Sequence, residues 1–231
     1  MAGTDEGFAG FPPEALAFYA GLILHNDKAW WEANKAGYEA HVRRPMLALV
    51  AGLDEEYRPL KVFRPYRDVR FSKDKTPYKT HIGAYGEGQG GSGFYVQLSA
   101  EGLYTACGYH VMERDQLARW RDAVAGEDGA RLPALVAEVR AAGLAVEPGI
   151  VQPLKRGPRG LAPDHPRADL LRWKGIMAVT DFGDPEWLHT AEALDRVQGA
   201  WRTAAPLLAW LDTHVGPSRE LPPEARAFLG G

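Results

Sequence analysis

The chain has a single cysteine, Cys107, among 231 residues. No disulfide can form within it, which excludes small cross-linked secreted scaffolds and fits a reducing compartment. No run approaches the ~20 apolar residues that a membrane helix needs. The opening residues, M-A-G-T-D-E-G-F, are acidic and lack an apolar stretch, so no secretory signal is read there. These absences predict a soluble, cytoplasmic protein without membrane contact. Strong net charge is also missing. The balance is −3, which argues against a general nucleic-acid coat protein. No internal repeat or low-complexity block appears.

Several chemistries are absent as well. The seven histidines are scattered, with no H-E-x-x-H and no ligand pair at helical i, i+4 spacing. Cys107 and His110 are three apart, which on a strand sends them to opposite faces. Neither a metal nor a cofactor is expected, and Cys107 reads as a buried structural residue. Gly90-Gly91-Ser92-Gly93-Phe94 lacks the final glycine of a nucleophile elbow. Gly86, Gly88 and Gly91 satisfy G-x-G-x-x-G. However, the strand-like Phe94–Leu98 follows them, whereas a dinucleotide fingerprint needs a helix N-terminus. Asp181-Phe182-Gly183 matches a kinase triplet without the catalytic loop that should precede it. A flexible glycine hairpin is the reading left.

What is present suits one globular domain spanning 1–231, with 45% hydrophobic and 25% charged residues. Residues 1–10 and 216–231 read as loose tails. Phe11-Pro12-Pro13-Glu14 opens a helix whose stripe is Leu16, Tyr19, Leu22 and Ile23. Asp27 caps a second helix through Trp30, Trp31, Tyr38 and Val42. Pro45 should kink or restart it. From Lys61 the period shortens to two. Val69 and Phe71 alternate with Asp68, Arg70 and Ser72, and strands follow at 81–86, 94–99 and 103–111. Helices return around Leu117–Val124 and Leu132–Ala142. A proline-punctuated stretch leads to a short strand at 175–182. Asp184-Pro185-Glu186-Trp187 is a strong helix start. A last helix carries Leu207, Leu208 and Leu211, with Pro206 restricting where it begins. Helices, then strands, then helices predict an α+β fold: an antiparallel meander flanked by N-terminal and C-terminal helices.

One segment stands apart. Residues 64–81 hold Arg64, Arg67, Arg70, Lys73, Lys75 and Lys79 against Asp68 and Asp74. Its balance is +6 − 2 = +4, which leaves −3 − 4 = −7 for the rest of the chain. Like charge at this density is unfavourable unless each group stays solvated or meets an anion. The run R-D-V-R-F-S-K-D-K-T-P-Y-K-T, residues 67–80, closely resembles the signature of an uncharacterised microbial and fungal family, domain of unknown function 2461. Asn26 to Lys35 is similar to that family's Asn-x-x-x-Trp-aromatic motif followed by lysine. Leu154 to Pro166 is similar to its later basic segment. The resemblance covers most of the chain and implies a shared fold and a site at these motifs. It implies no reaction.

The candidate ligand-binding residues are Arg67, Arg70, Ser72, Lys73, Lys75, Tyr78 and Lys79, joined by Lys155, Arg156 and Arg159 if the fold brings the two basic runs together. Arginine offers a planar fork to phosphate or carboxylate, lysine a movable charge, and Tyr78 a hydroxyl. Asp68, His81, His110 and His165 are the candidates for proton transfer. The leading expectation is a basic pocket for an anionic small molecule, in a binding protein or an enzyme. The alternative is a non-catalytic module that docks nucleic acid or an acidic protein surface on the same face. A third reading makes Asp68 and its flanking arginines a buried ion network with no ligand.

Overall fold

The computed structural model describes residues 7–220 except 55, 58, 71, 159, 161 and 163. Helix α1 (Pro13–Leu24) begins on proline, where the missing amide costs nothing, with Glu14 at the positive end of its dipole. Asp27 caps α2 (Lys28–Gly37) by accepting from the Trp30 amide at 2.9 Å. A π-helical turn, Tyr38–Arg43, links α2 to α3 (Arg44–Asp54). Pro45 therefore follows directly on a widened turn, which takes up the break its missing N–H causes.

Six strands then form one antiparallel sheet: β1 (Lys61–Val62), β2 (His81–Glu87), β3 (Gly93–Ser99), β4 (Gly102–Tyr109), β5 (Ala145–Glu147) and β6 (Ile176–Gly183). Their order is β1-β2-β3-β4-β6-β5. The first four are the meander the sequence predicts. Helices α4 (Arg114–Ala125) and α5 (Leu132–Ala141) follow β4. The short α6 (Ala168–Leu171) precedes β6, which inserts beside β4, and α7 (Glu192–His214) follows. The fold is α+β.

Alternation along the strands separates two faces. Ile82, Ala84, Val96, Leu98, Leu103 and Cys107 enter the main core with Leu49, Trp120 and Trp201 from the helices. The other face presents His81, Tyr85, Tyr95, Gln97 and Tyr104, all half-buried. An apolar cluster on it, Ala106, Met177 and Val179 with Tyr95 and Tyr104, draws on strand residues. This is the open face.

Four expectations need correction. Residues 67–72 are not a strand. The Arg67 amide donates to the Pro77 carbonyl (2.9 Å), the Lys79 amide to the Pro65 carbonyl (2.8 Å), and Tyr66 bridges Tyr78. The segment thus closes on itself as a loop between β1 and β2. Val69 is half-buried, and Phe71 lies outside the described residues. Next, Asp184-Pro185-Glu186-Trp187 starts only a single 3-10 turn, Glu186–His189. The Leu188 carbonyl, which a longer helix would use, accepts from the Phe11 amide at 3.0 Å. Third, Pro206 lies inside α7, not at a helix start. A proline costs roughly 3 kcal/mol there. Trp201, Leu207, Leu208 and Leu211 are buried around it, and at about 1.5–3 kcal/mol each they outweigh that cost. Last, the glycine hairpin is pinned. The Ser92 amide and hydroxyl donate to Asp212 Oδ1 of α7 at 3.0 and 2.6 Å, and the Tyr109 hydroxyl donates to the Gly90 carbonyl at 2.9 Å.

Parts of the segments read as tails are also packed. Phe8 is buried edge-on against Phe11, ring centroids 5.3 Å apart. Ser218 and the Arg219 amide bond Asp115 at 2.9 and 2.7 Å. Residues 1–6, 221–231 and Pro163 lie outside the described residues.

Candidate functional site

The signature loop has a foot and a tip. Two elements of the N-terminal helical block hold the foot. The Asn26 side chain pairs with Tyr78 as a neighbouring strand would, donating to its carbonyl at 3.0 Å and accepting from its amide at 3.1 Å. Trp31 stacks on the Tyr78 ring, centroids 4.2 Å apart and planes 9° apart. Both Trp31 and Tyr78 are buried. The Asn-x-x-x-Trp-aromatic motif is therefore the clamp for the signature loop, which accounts for two distant motifs occurring together.

At the tip both carboxylates are held by arginines. Arg70 grips Asp68 with both ends of its fork, Nε to Oδ1 at 3.0 Å and Nη2 to Oδ2 at 2.6 Å. The pair is exposed, so it is not the buried network that was one reading of the sequence. Arg67 reaches across to Asp74 and to the Thr76 hydroxyl, the latter at 2.6 Å. Asp74 also accepts from the Thr76 amide and hydroxyl at 2.9 and 2.8 Å. These bonds hold the Asp74 carboxyl down at about 2, the Thr76 amide contributing most, and the Arg70 fork holds Asp68 equally low. Lys75 donates to the Val69 carbonyl at 2.8 Å. Ser72 is half-buried and Lys73 is exposed.

The foot is different. Lys79 Nζ lies 5.0 Å from the centre of the Phe63 ring. Burial lowers its pKa first, and the neighbouring Arg64 adds to the shift. His81 is pushed down by burial, then by Lys79 and Arg67. No carboxylate pairs with Lys79, Arg64 or His81 among the described residues. Arg64 weakly influences Asp68, whose carboxylate Arg70 already holds.

Phe63 continues into a second feature that the sequence reading missed. A cavity of about 300 Å³ lies on the open face, walled by Phe63, Tyr85, Tyr95, Tyr104, His110 and Ile150. Glycines clear its floor. A Cβ on Gly93 would stand 2.6 Å from the Tyr85 ring, and one on Gly83 would stand 2.7 Å from the Tyr95 hydroxyl. The two rings can thus lie down along the sheet. Tyr95 donates to Gln97 Oε1 at 2.6 Å. His110 meets Tyr85 edge-on at 5.5 Å, and burial lowers its pKa below the ordinary value.

The remaining candidates fall elsewhere. Lys155 and Arg156 border a shallow depression with Arg121 and Asp122 of α4, which no signature residue lines. The two basic runs are not brought together there, and Arg159 lies outside the described residues. His165 accepts from the Arg167 amide at 3.0 Å, and the Arg167 guanidinium caps the carbonyls of Val124, Ala125 and Gly126. His165 thus belongs to the closure of α4. Cys107 is buried, and burial pushes its thiol up to about 12, which makes it a poor nucleophile. Among the described residues, no group of three or more His, Cys, Asp or Glu side chains is placed to hold a metal ion. Among the same residues, no helix is long and apolar enough to cross a membrane.

No curated protein and no solved structure matches the chain. One family does, described as "Conserved hypothetical protein (DUF2461)". It matches residues 14–210, from the first helix through the clamp, the signature loop, the open face and most of α7. The chain belongs to that family.

Proposed function

We propose that the protein binds an anionic small molecule, bearing a phosphate or carboxylate, at the foot of the signature loop. The observation behind this reading is Lys79, a half-buried lysine with Arg64 beside it and no acid paired to it among the described residues. Burying a cation without a partner is costly. An arriving anion would offset both the desolvation cost and the repulsion through its own attraction to the cations. At an effective dielectric of ~20 and ~4 Å, such a contact is worth about 4 kcal/mol before desolvation, against ~1 kcal/mol in bulk water. That difference favours the foot over the solvated tip. His81 and His110, whose pKa values burial lowers, are the candidate groups for exchanging a proton with a ligand on this face.

Tyr66 favours a second reading. It is 47% exposed among Arg64 and Arg67, as a stacking platform for a single-stranded nucleic acid would be.

Thermal unfolding with graded inorganic phosphate, phenyl phosphate, benzoate and a short oligothymidylate separates the two. Small anions should stabilise the wild type saturably. Lys79→Met should abolish the effect while leaving the apo protein as stable or slightly more so, and Arg70→Met should keep it. Stabilisation by the oligomer alone, falling steeply with salt, would replace the first reading with the second. No response to any anion, or an undiminished one in Lys79→Met, would defeat the small-anion reading.

A further inference from the structure

Resting on that reading, we infer that the ligand is an aryl anion: its acidic group meets Lys79 and Arg64, and a planar one- or two-ring body lies in the tyrosine-walled cavity of the open face. Phe63 joins the two halves. It walls the cavity and also lies beneath Lys79, so an anion held by Lys79 has its attached group directed onto aromatic surface. The cavity, at about 300 Å³, is at the small end of ligand sites, which suits one or two rings and not an extended polymer. Its side-chain walls are aromatic or apolar apart from tyrosine hydroxyls and the His110 ring. A sugar phosphate, with a hydroxyl on nearly every carbon, would lose hydration there without equivalent partners.

The arrangement of the rings points the same way. With Gly83 and Gly93 beneath them, Tyr95 and Tyr85 lie along the floor and do not fill the space above it. Tyr104 stands edge-on to Tyr95, centroids 6.2 Å apart, and Phe63 is tilted to Tyr95 at 6.4 Å. These are the distances and angles at which aromatic rings attract one another. A planar guest adds further such contacts.

Ile150 supplies a wall. It is 69% exposed, which is unusual for isoleucine, yet its backbone is held in place by a bond from its amide to the His110 carbonyl at 3.0 Å. Gly149 before it has φ +81, the left-handed conformation glycine adopts freely. The loop thus keeps an apolar side chain at the mouth of an aromatic cavity, where a bound ring would cover it.

Calorimetric titration with 2-naphthyl phosphate, glycerol 3-phosphate and inorganic phosphate tests the inference. Naphthyl phosphate should bind at least roughly tenfold more tightly than glycerol 3-phosphate. Tyr104→Ala and Ile150→Ala should each weaken naphthyl phosphate by roughly three- to tenfold, the range of one aromatic or apolar contact, and leave inorganic phosphate unchanged. Because Ile150 is exposed, that variant should fold normally, and its melting curve checks this. Equal affinity for naphthyl and glycerol phosphates would sink the aryl assignment and leave the anion site standing. If no phosphate binds and Lys79→Met alters nothing, both fall together.

Discussion

At the tip of the signature loop, Arg70 and Arg67 hold Asp68 and Asp74, and Lys75 holds a carbonyl, all close to solvent. At its foot, Lys79 lies over the Phe63 ring and is disfavoured as a cation by burial and by Arg64, while burial and then Lys79 and Arg67 disfavour the charged form of His81. Both parts carry cations, yet at the tip each arginine is paired with a carboxylate, and in that sense the tip is electrostatically finished and the foot is not. A surplus of +4 over eighteen residues therefore does not by itself identify a site. What matters is which charges have lost solvent without gaining a partner. By that measure the proposed site lies nearest the sheet, where the backbone is clamped, and the conspicuous arginine–aspartate repeat has its charges committed to partners within the loop.

The largest effect should come from breaking the clamp. Trp31 is 1% exposed and stacks on Tyr78. Trp31→Ala should cost about 3–5 kcal/mol in urea unfolding, as buried aromatic truncations do. Trp31→Phe should cost much less. It keeps most of the buried area, and the indole N–H it removes has no hydrogen-bond partner among the described residues. Equal losses in the two variants would mean that the indole itself, and not packing on the foot, is what the loop needs.

Much of this architecture can be read from the sequence. Alternation found β2, β3, β4 and β6, and helical spacing with caps found α1, α2, α4 and α5, because each is long enough for its period to repeat. The signature strand failed because only Val69 and Phe71 alternate, between Pro65 and Pro77. Neither proline has an N–H for a ladder, and the flanking backbone bonds itself. β5 is three residues in a proline-rich stretch, too short to carry a period. The cavity was illegible for a different reason. Phe63, Tyr85, Tyr95 and Tyr104 sit on different strands or their ends, and only the register gathers them: Tyr85 opposite Tyr95, and Gln97 opposite Tyr104. A signal was nevertheless present. Tyr85, Tyr95 and Tyr104 occupy the polar-face parity of their strands, with Gly83 and Gly93 two positions away, a pattern a plain solvent face does not need.

A smaller, pH-dependent effect sharpens the contrast. His81 and His110 titrate below their ordinary value of 6.5 in the folded protein, chiefly through burial. Between the folded and unfolded values, the unfolded chain binds more protons. Stability contributed by the neutral rings is thus complete above 6.5 and lost as pH falls through the folded values. His81→Gln with His110→Gln should flatten that part of the profile of melting temperature against pH. Saturating phosphate should shrink the contribution of His81 alone, since an anion at Lys79 offsets the cations that depress it. A profile unchanged by the substitutions would show that folding lowers neither pKa.

The smallest effects belong to the tip. Arg70→Met, Asp68→Asn and the double variant should melt together with the wild type, because exposed pairs contribute little and salt screens them. That outcome would settle what the sequence left open. A buried pair would lose heavily in the single variants and recover in the double. Binding should follow the same division. At physiological salt the Debye length is about 8 Å, so losing a tip cation should change phenyl phosphate affinity by no more than about twofold. At low salt the same loss should slow association, since unscreened tip charges still draw an anion toward the loop. Stopped-flow rates at two salt concentrations distinguish steering from contact. If Arg70→Met instead raises the dissociation rate at both, Arg70 touches the ligand. The tip would then be part of the site, and the division between a finished tip and an unfinished foot would be wrong.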